Sequence, residues 1–348
     1  MGCDEEQASS GAGASSGDPG GTGANGTTSS SGPGSGASTG AGASSGAGGS
    51  AGGIASNYPG DVGIENDPAV VWAENFEEGS VQAVVSRYQN AANSAGMALV
   101  SDVPAASSGA ASMALTAGGS GPAATDLYKR FDRSYDEIHV RYYVKYSAGV
   151  EYHHTGVWFG GYNPPLDWPS PHAGEQPNGS DRFSISFEVT GGPPNPRMDF
   201  YNYWMSMHAG PNAYWGNTLI HDTNVFAPDD QWFCVEVGLR LNPDPASPAG
   251  AELSLRVDDQ PIITFNDQGP VGYWLWDKFC PDGADGPECT DYPPDPGTRL
   301  VPLDQQYRNT ANLGINYFWP QNYITDAPAG PVYYDDMVVA TEFIGCIQ

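Results

Sequence analysis

Two neighbouring stretches carry the clearest alternation in the chain. Over 181–190 (DRFSISFEVT), Phe183, Ile185, Phe187 and Val189 fall on one side, and Arg182, Ser184, Ser186 and Glu188 on the other. Successive side chains on a strand point to opposite faces, so this spacing predicts a β-strand with one buried face. A second strand is predicted over 197–208 (RMDFYNYWMSMH), after a Gly/Pro-rich connection at 191–196. Phe200 and Trp204 would lie on one side, with Tyr201, Tyr203, Met205 and Met207 on the other. A row of Ser, Ser and Glu beside Tyr-x-Tyr predicts the floor of a polar, aromatic-lined groove.

The same reading predicts strands over 70–76, 97–102, 111–117, 127–131, 137–146 and 153–161. Further strands are expected over 232–241, 251–257, 262–265, 313–319 and 332–340, with a hairpin turn at Asp258-Asp259. One short helix is expected over 81–95, and 269–304 reads as an irregular insertion over one rim. Many short strands between turn-rich loops, with almost no helix, predict an all-β fold: an antiparallel β-sandwich or jelly roll.

Composition divides the chain. Residues 4–56 are almost entirely Gly, Ala, Ser and Thr, with Ile54 their one large aliphatic. Such sequence buries too little apolar surface to offset the entropy of ordering, so 1–57 is expected to be a disordered tether reaching roughly 40 Å. Residues 58–348 are expected to form the jelly-roll domain. Gly2-Cys3 ahead of acidic residues and this tether reads as a bacterial lipoprotein whose leader has been removed, lipidated on Cys3 and located in the cell envelope or at the outer surface. A myristoylation pattern fails, because Glu6 stands where Ser or Thr is required.

The formal net charge is −28. Phosphate binding needs clustered Lys and Arg, so nucleic acid is excluded as a partner. Four cysteines in the folded part allow three pairings. Cys280 and Cys289 bracket a short loop and are expected to pair, leaving Cys234 to join Cys346. Disulfides point to an oxidising, exported setting. The Cys-x-x-Cys spacing of a zinc site is absent.

In chain order, Tyr128-Lys129-Arg130-Phe131, Val140-Arg141-Tyr142-Tyr143-Val144-Lys145, Gly160-Gly161, a Ser-bearing strand and Tyr201-x-Tyr203 are followed by Trp232-x-Cys234-Val235-Glu236. Leu313-Gly314-Ile315-Asn316 and Tyr334-Asp335-Asp336-Met337-Val338-Val339-Ala340-Thr341-Glu342 close the series. From about 58 to 347 this order resembles the concanavalin-like jelly-roll polysaccharide lyases of the alginate- and glucuronan-lyase kind, and most of all their uncharacterised secreted bacterial relatives. The resemblance implies a sheet that grips a glycan and β-elimination at a uronate. That reaction needs a neutraliser for the carboxylate, a base for the C5 proton and an acid for the leaving oxygen. The nearest matches to the catalytic positions are His154, Ser186-x-Glu188 and Tyr201-x-Tyr203. Glu188 stands where such a family places an arginine.

His154, Glu188, Tyr201 and Tyr203 are therefore the catalytic candidates, with the tyrosines as base and acid. Arg141, Tyr143 and Lys145 share a strand face, and with Arg182 they are candidates to bind an acidic sugar. Trp158 and Trp215 are candidate stacking platforms for a pyranose. For each, ordinary packing or surface charge is the alternative. His153 and His154, as neighbours on a strand, are expected to point to opposite faces and to share no metal. No cofactor is expected; the pair Asp335-Asp336 leaves a structural calcium open. The expected partner is an extracellular polysaccharide, bound by a monomer. A glycan-binding module without chemistry, and a hydrolase using Glu188, are the rival readings. The Glu-x-Asp-x-x-Glu run of laminarinase-type glucanases is absent.

Overall fold

The computed structural model describes residues 52–170, 172–190, 196–325 and 328–348. The strands are β1 (Val70–Glu74), β2 (Asn90–Ala92), β3 (Met97–Val100), β4 (Ser112–Ala117), β5 (Ala124–Tyr135) and β6 (Glu137–Tyr146). They continue as β7 (Gly156–Tyr162), β8 (Arg182–Val189), β9 (Met198–Phe200), β10 (Phe233–Arg240), β11 (Glu252–Val257) and β12 (Gln260–Phe265). The last five are β13 (Val271–Leu275), β14 (Lys278–Pro281), β15 (Val301–Pro302), β16 (Ile315–Tyr323) and β17 (Gly330–Ala340). Two five-residue helices, α1 (Val81–Val85) and α2 (Pro287–Asp291), complete the regular structure beside short 3-10 turns.

Two antiparallel sheets form the sandwich. One has eight strands in the order β12-β11-β10-β6-β17-β4-β3, with β1 also on β17; the other has six, in the order β2-β5-β16-β7-β8-β9. Their facing sides follow the period of two. Val140, Tyr142, Val144, Val235, Val237 and Leu239 from the first sheet meet Val157, Phe159, Phe183, Ile185 and Phe187 from the second, all buried. Each such side chain contributes roughly 1.5–3 kcal/mol by leaving water. Phenols complete the join: the Tyr334 hydroxyl donates to Gly156 O (3.0 Å) and to Gln321 O (2.9 Å). The fold is an antiparallel β-sandwich of the jelly-roll kind.

The structure departs from the expectations in several places, and the strand expected over 197–208 is regular only over Met198–Phe200. The helix expected over 81–95 stops at Val85, capped at its start by Ser80 Oγ accepting from Ala83 N at 3.2 Å. The chain then returns to sheet as β2, because Asn90–Ala92 pair with Asp126–Tyr128. The segment 269–304 contains a three-stranded sheet, β14-β13-β15, and α2. The folded body also begins earlier than residue 58: Ile54 and Ala55 pack on Ile64, Val338, Ala340 and Ile344. The tether expected ahead of this point falls, up to residue 51, outside the described residues.

Cys234 bonds to Cys346 and Cys280 to Cys289. These two disulfides belong to an extracytoplasmic protein. Among the described residues no helix is long and apolar enough to cross a membrane.

Candidate functional site

The β8 ladder fixes which side chains meet. Glu188 lies opposite Asp199 and Phe187 opposite Phe200. The pairing runs on past β9: Tyr201 N donates to Ser186 O, and Tyr203 and Ser184 exchange both backbone bonds, all at 2.9 Å. Tyr201, Tyr203, Ser184, Ser186 and Glu188 therefore share the face of the six-stranded sheet turned away from the sandwich core.

His154 reaches this face from the loop before β7. Its N–H and that of His153 both donate to Tyr323 O, and Gln321 Nε2 donates to His154 O at 2.9 Å. This bend, in place of a strand, explains why the two histidines do not diverge as expected; their rings stack at 4.2 Å. His154 Nδ1 lies 2.6 Å from Glu188 Oε1, and Glu188 Oε2 accepts from Ser186 Oγ at 2.8 Å. The tyrosine ring of Tyr201 sits 4.5 Å from the His154 ring and 5.7 Å from that of Tyr203. Only glycine fits at 216, since a Cβ there would lie 2.3 Å from the Tyr201 ring.

Burial works against a charged His154, but the charge and hydrogen bond of Glu188 outweigh it and raise the imidazole above its ordinary pKa. Burial, and then the neighbouring Tyr203, push the Tyr201 hydroxyl far above the usual tyrosine value. Burial raises Tyr203 as well, against the hydrogen bond it receives from Tyr201. Both phenols are thus held protonated at neutral pH. They are fit to donate a proton, and a phenolate base is disfavoured at either position.

These groups border a cavity of about 330 Å³ lined by His153, His154, Glu188 and Tyr201 on one side. Arg197, Asp199, Thr218, His221, Asp222, Lys278 and Glu288 line the other. The far wall is built by a buried carboxylate. Asp199 accepts the backbone N–H groups of Leu219 and Ile220 on one oxygen and of His221 on the other, at 2.7–2.8 Å. His221 is held with φ at 49°, placing its ring beside Thr218 and Glu288. Glu288, on the helix that the Cys280–Cys289 bond staples to β14, grips Arg197 through two bonds of 2.6 and 2.9 Å. His221 and Arg197 hold its carboxyl well below the ordinary range, against burial.

The candidate residues separate cleanly. His154, Glu188, Tyr201, Tyr203 and Trp158 come together. Tyr203 and Trp158 are buried beneath Tyr201, with centroids 6.5 Å apart, so Tyr201 is the phenol that borders the cavity. Arg182 shares the sheet face but lies at the opposite end of β8 from Glu188, about 20 Å away at strand rise. It is engaged there by Asp181 at 2.7 Å. Trp215 is half exposed beside Gly216, in the loop that backs Tyr201.

Arg141, Tyr143 and Lys145 are a correction. They share a face, as the alternation requires, but it is the outer face of the eight-stranded sheet. Arg141 pairs with Asp61 and donates to Asp336 O, Lys145 pairs with Asp102, and the Tyr143 hydroxyl accepts from Ile347 N. Asp335 and Asp336 are buried on this side too, both pushed up by burial. Among the described residues no group of three or more His, Cys, Asp or Glu is arranged to hold a metal ion.

The sequence reading missed the far wall. Arg197, His221, Lys278 and Glu288 are scattered over ninety residues of loop and insertion, and no local spacing joins them. Asp199 was the one accessible signal, as an acidic residue that the alternation places on the same face as Tyr201 and Tyr203 and opposite Glu188.

No family model matches the sequence, and no curated protein matches it. Solved structures share the fold. An alginate lyase from Aplysia kurodai superposes with a TM-score of 0.51 at 12% identity, over 78% of this chain and 99% of that one. The alginate lyase Aly36B gives 0.46 at 12% identity over 80% and 99%. The endo-β-1,4-glucuronan lyase of the fungus Trichoderma reesei gives 0.37 at 11% identity over 78% and 95%. At 12% identity the likeness to the Aplysia kurodai lyase is one of fold.

Proposed function

We propose that the cavity binds an extracellular polysaccharide and cleaves it at a uronate by β-elimination, on an exported protein anchored through a lipidated Cys3. The observation that carries this reading is the 2.6 Å contact of His154 with Glu188, beside Tyr201, at the wall of an open cavity. Nδ1–H donated to Glu188 leaves Nε2 to take a proton, and the carboxylate stabilises the imidazolium that results. His154 is the base in this scheme and Tyr201 the acid. In this scheme Tyr203 turns its own hydroxyl proton onto the Tyr201 oxygen when substrate binds, which frees the Tyr201 proton for the leaving oxygen.

The pairing also answers the objection raised by a glutamate in a cleft for acidic sugars. Glu188 is occupied by His154 and Ser186 and does not face a substrate alone. Incubating the protein with a panel of free and esterified polyuronates should generate the ultraviolet absorbance of unsaturated uronate ends. His154→Ala should lower that rate by about 10²–10⁴-fold. Glycan binding with no such product from the wild-type protein would discard the elimination. It would leave the second reading, a binding module, which is favoured by the fact that both cations of the cavity already have carboxylate partners.

A further inference from the structure

We propose that the uronate taken by this cavity carries an esterified, uncharged carboxyl group rather than a free carboxylate. The inference rests on the elimination reading and concerns the chemical class of its substrate. The cavity is lined by Glu188, Asp199, Asp222 and Glu288 against Arg197, Lys278 and three histidines, of which His154 is already held by Glu188; even with His154 charged the carboxylates are in excess. Both cations are spoken for. Glu288 grips Arg197 from two oxygens, and Asp277 lies 3.1 Å from Lys278 Nζ. Farther along the same sheet face, Arg182 pairs with Asp181 and Arg130 with Asp167.

A free uronate would thus enter a lining already in carboxylate excess, on a protein of net charge −28. To reach a cation it would have to displace an internal partner. An incoming polyanion is repelled under these conditions, whereas an ester is not. The chemistry agrees with the electrostatics. Elimination from a free uronate requires a cation or strong hydrogen-bond donors on the carboxylate before C5–H becomes acidic. An ester carbonyl accepts the developing charge without one.

His154 Nε2 takes the C5 proton, and the C5–H electron pair forms the C4=C5 double bond. The C4–O bond breaks, its pair stays on the glycosidic oxygen, and that oxygen takes the Tyr201 proton. The products are an unsaturated uronic ester end and a fragment with a new hydroxyl. The proton on His154 returns to Tyr201 through solvent, so no further reagent is consumed.

The test is calorimetric binding of the full chain to one oligouronate series, methyl-esterified and de-esterified, alongside cleavage of both. The esterified form should bind at least about tenfold more tightly, a difference of about 1.4 kcal/mol. The Asp222→Asn variant, one negative charge fewer, should narrow that ratio by about twofold. Equal or tighter binding and cleavage of the free form would overturn the substrate class while leaving the elimination intact. Preferential binding of the ester with cleavage of neither would support the class and end the elimination. No binding of either form would overturn both, and a ratio unmoved by Asp222→Asn would overturn the electrostatic basis.

Discussion

The outward faces of the two sheets make an instructive pair. Both carry the polar half of an alternating pattern, and both hold close-set ionic groups. On the eight-stranded sheet, Arg141, Lys145 and Glu236 are sealed in. Asp61 closes over Arg141, Asp102 over Lys145 and the C-terminal residues over Glu236, which accepts the N–H groups of Ile344 and Gly345 while facing His139 at 3.0 Å. On the six-stranded sheet, the His154–Glu188 pair is flanked by a cavity. The same alternation buries ionic groups under covering loops in one place and lines a cavity with them in the other. Cavities open on both sides, one of about 540 Å³ beside Asp61 and Asp336 and one of about 330 Å³ beside His154 and Glu188. What separates the faces is that a distant segment takes up Arg141 on the first, while the His154 ring lines the opening on the second.

The sharpest way to break this contrast is Arg141→Met. It should cost about 3–5 kcal/mol in denaturant unfolding, because Asp61 and the Asp336 carbonyl would lose a buried cation. Glycan binding per folded molecule should stay as in the wild type; a selective loss of binding at unchanged stability would restore Arg141 to the site.

A smaller effect is expected at Glu74, also on the covered side. Burial, against the pull of Arg87, pushes its carboxyl up to about 7. A carboxyl whose folded pKa exceeds its unfolded value weakens the fold as pH rises from the unfolded pKa to the folded one. Wild-type stability should therefore decline between about pH 4.5 and 7, with Glu74 contributing on the order of 3 kcal/mol. Glu74→Gln should flatten part of that decline in melting curves taken across the range.

The least effect on stability belongs to His154. Its pKa is raised in the fold, so its pairing with Glu188 supports the fold fully below the ordinary histidine value and loses that support as pH climbs past the raised one. His154→Gln should cost about 1–2 kcal/mol at pH 5.5 and less at pH 9. An equal loss at both pH values would mean the ring is held by packing alone.

This contrast also explains what the sequence could reveal. The strands, the disulfides and the shared face of Glu188, Tyr201 and Tyr203 follow from a period of two and from local spacing. Alternation cannot tell that Asp61 and Asp102 close over Arg141 and Lys145, because those contacts join residues forty to eighty positions apart. Nor does it foresee Asp199 gathering the N–H groups of 219–221, or a stapled helix delivering Glu288 to Arg197. Long-range contacts decided which of the polar groups were taken up.

The packing of Ile54 and Ala55 against Ile344 gives the molecule a handle. The described chain enters where it leaves, on the back of the eight-stranded sheet, with Cys346 riveted to Cys234 nearby. The C-terminus thus lies on the sheet opposite the histidine-lined mouth, and a bulky group fixed at Gln348 would leave that mouth clear.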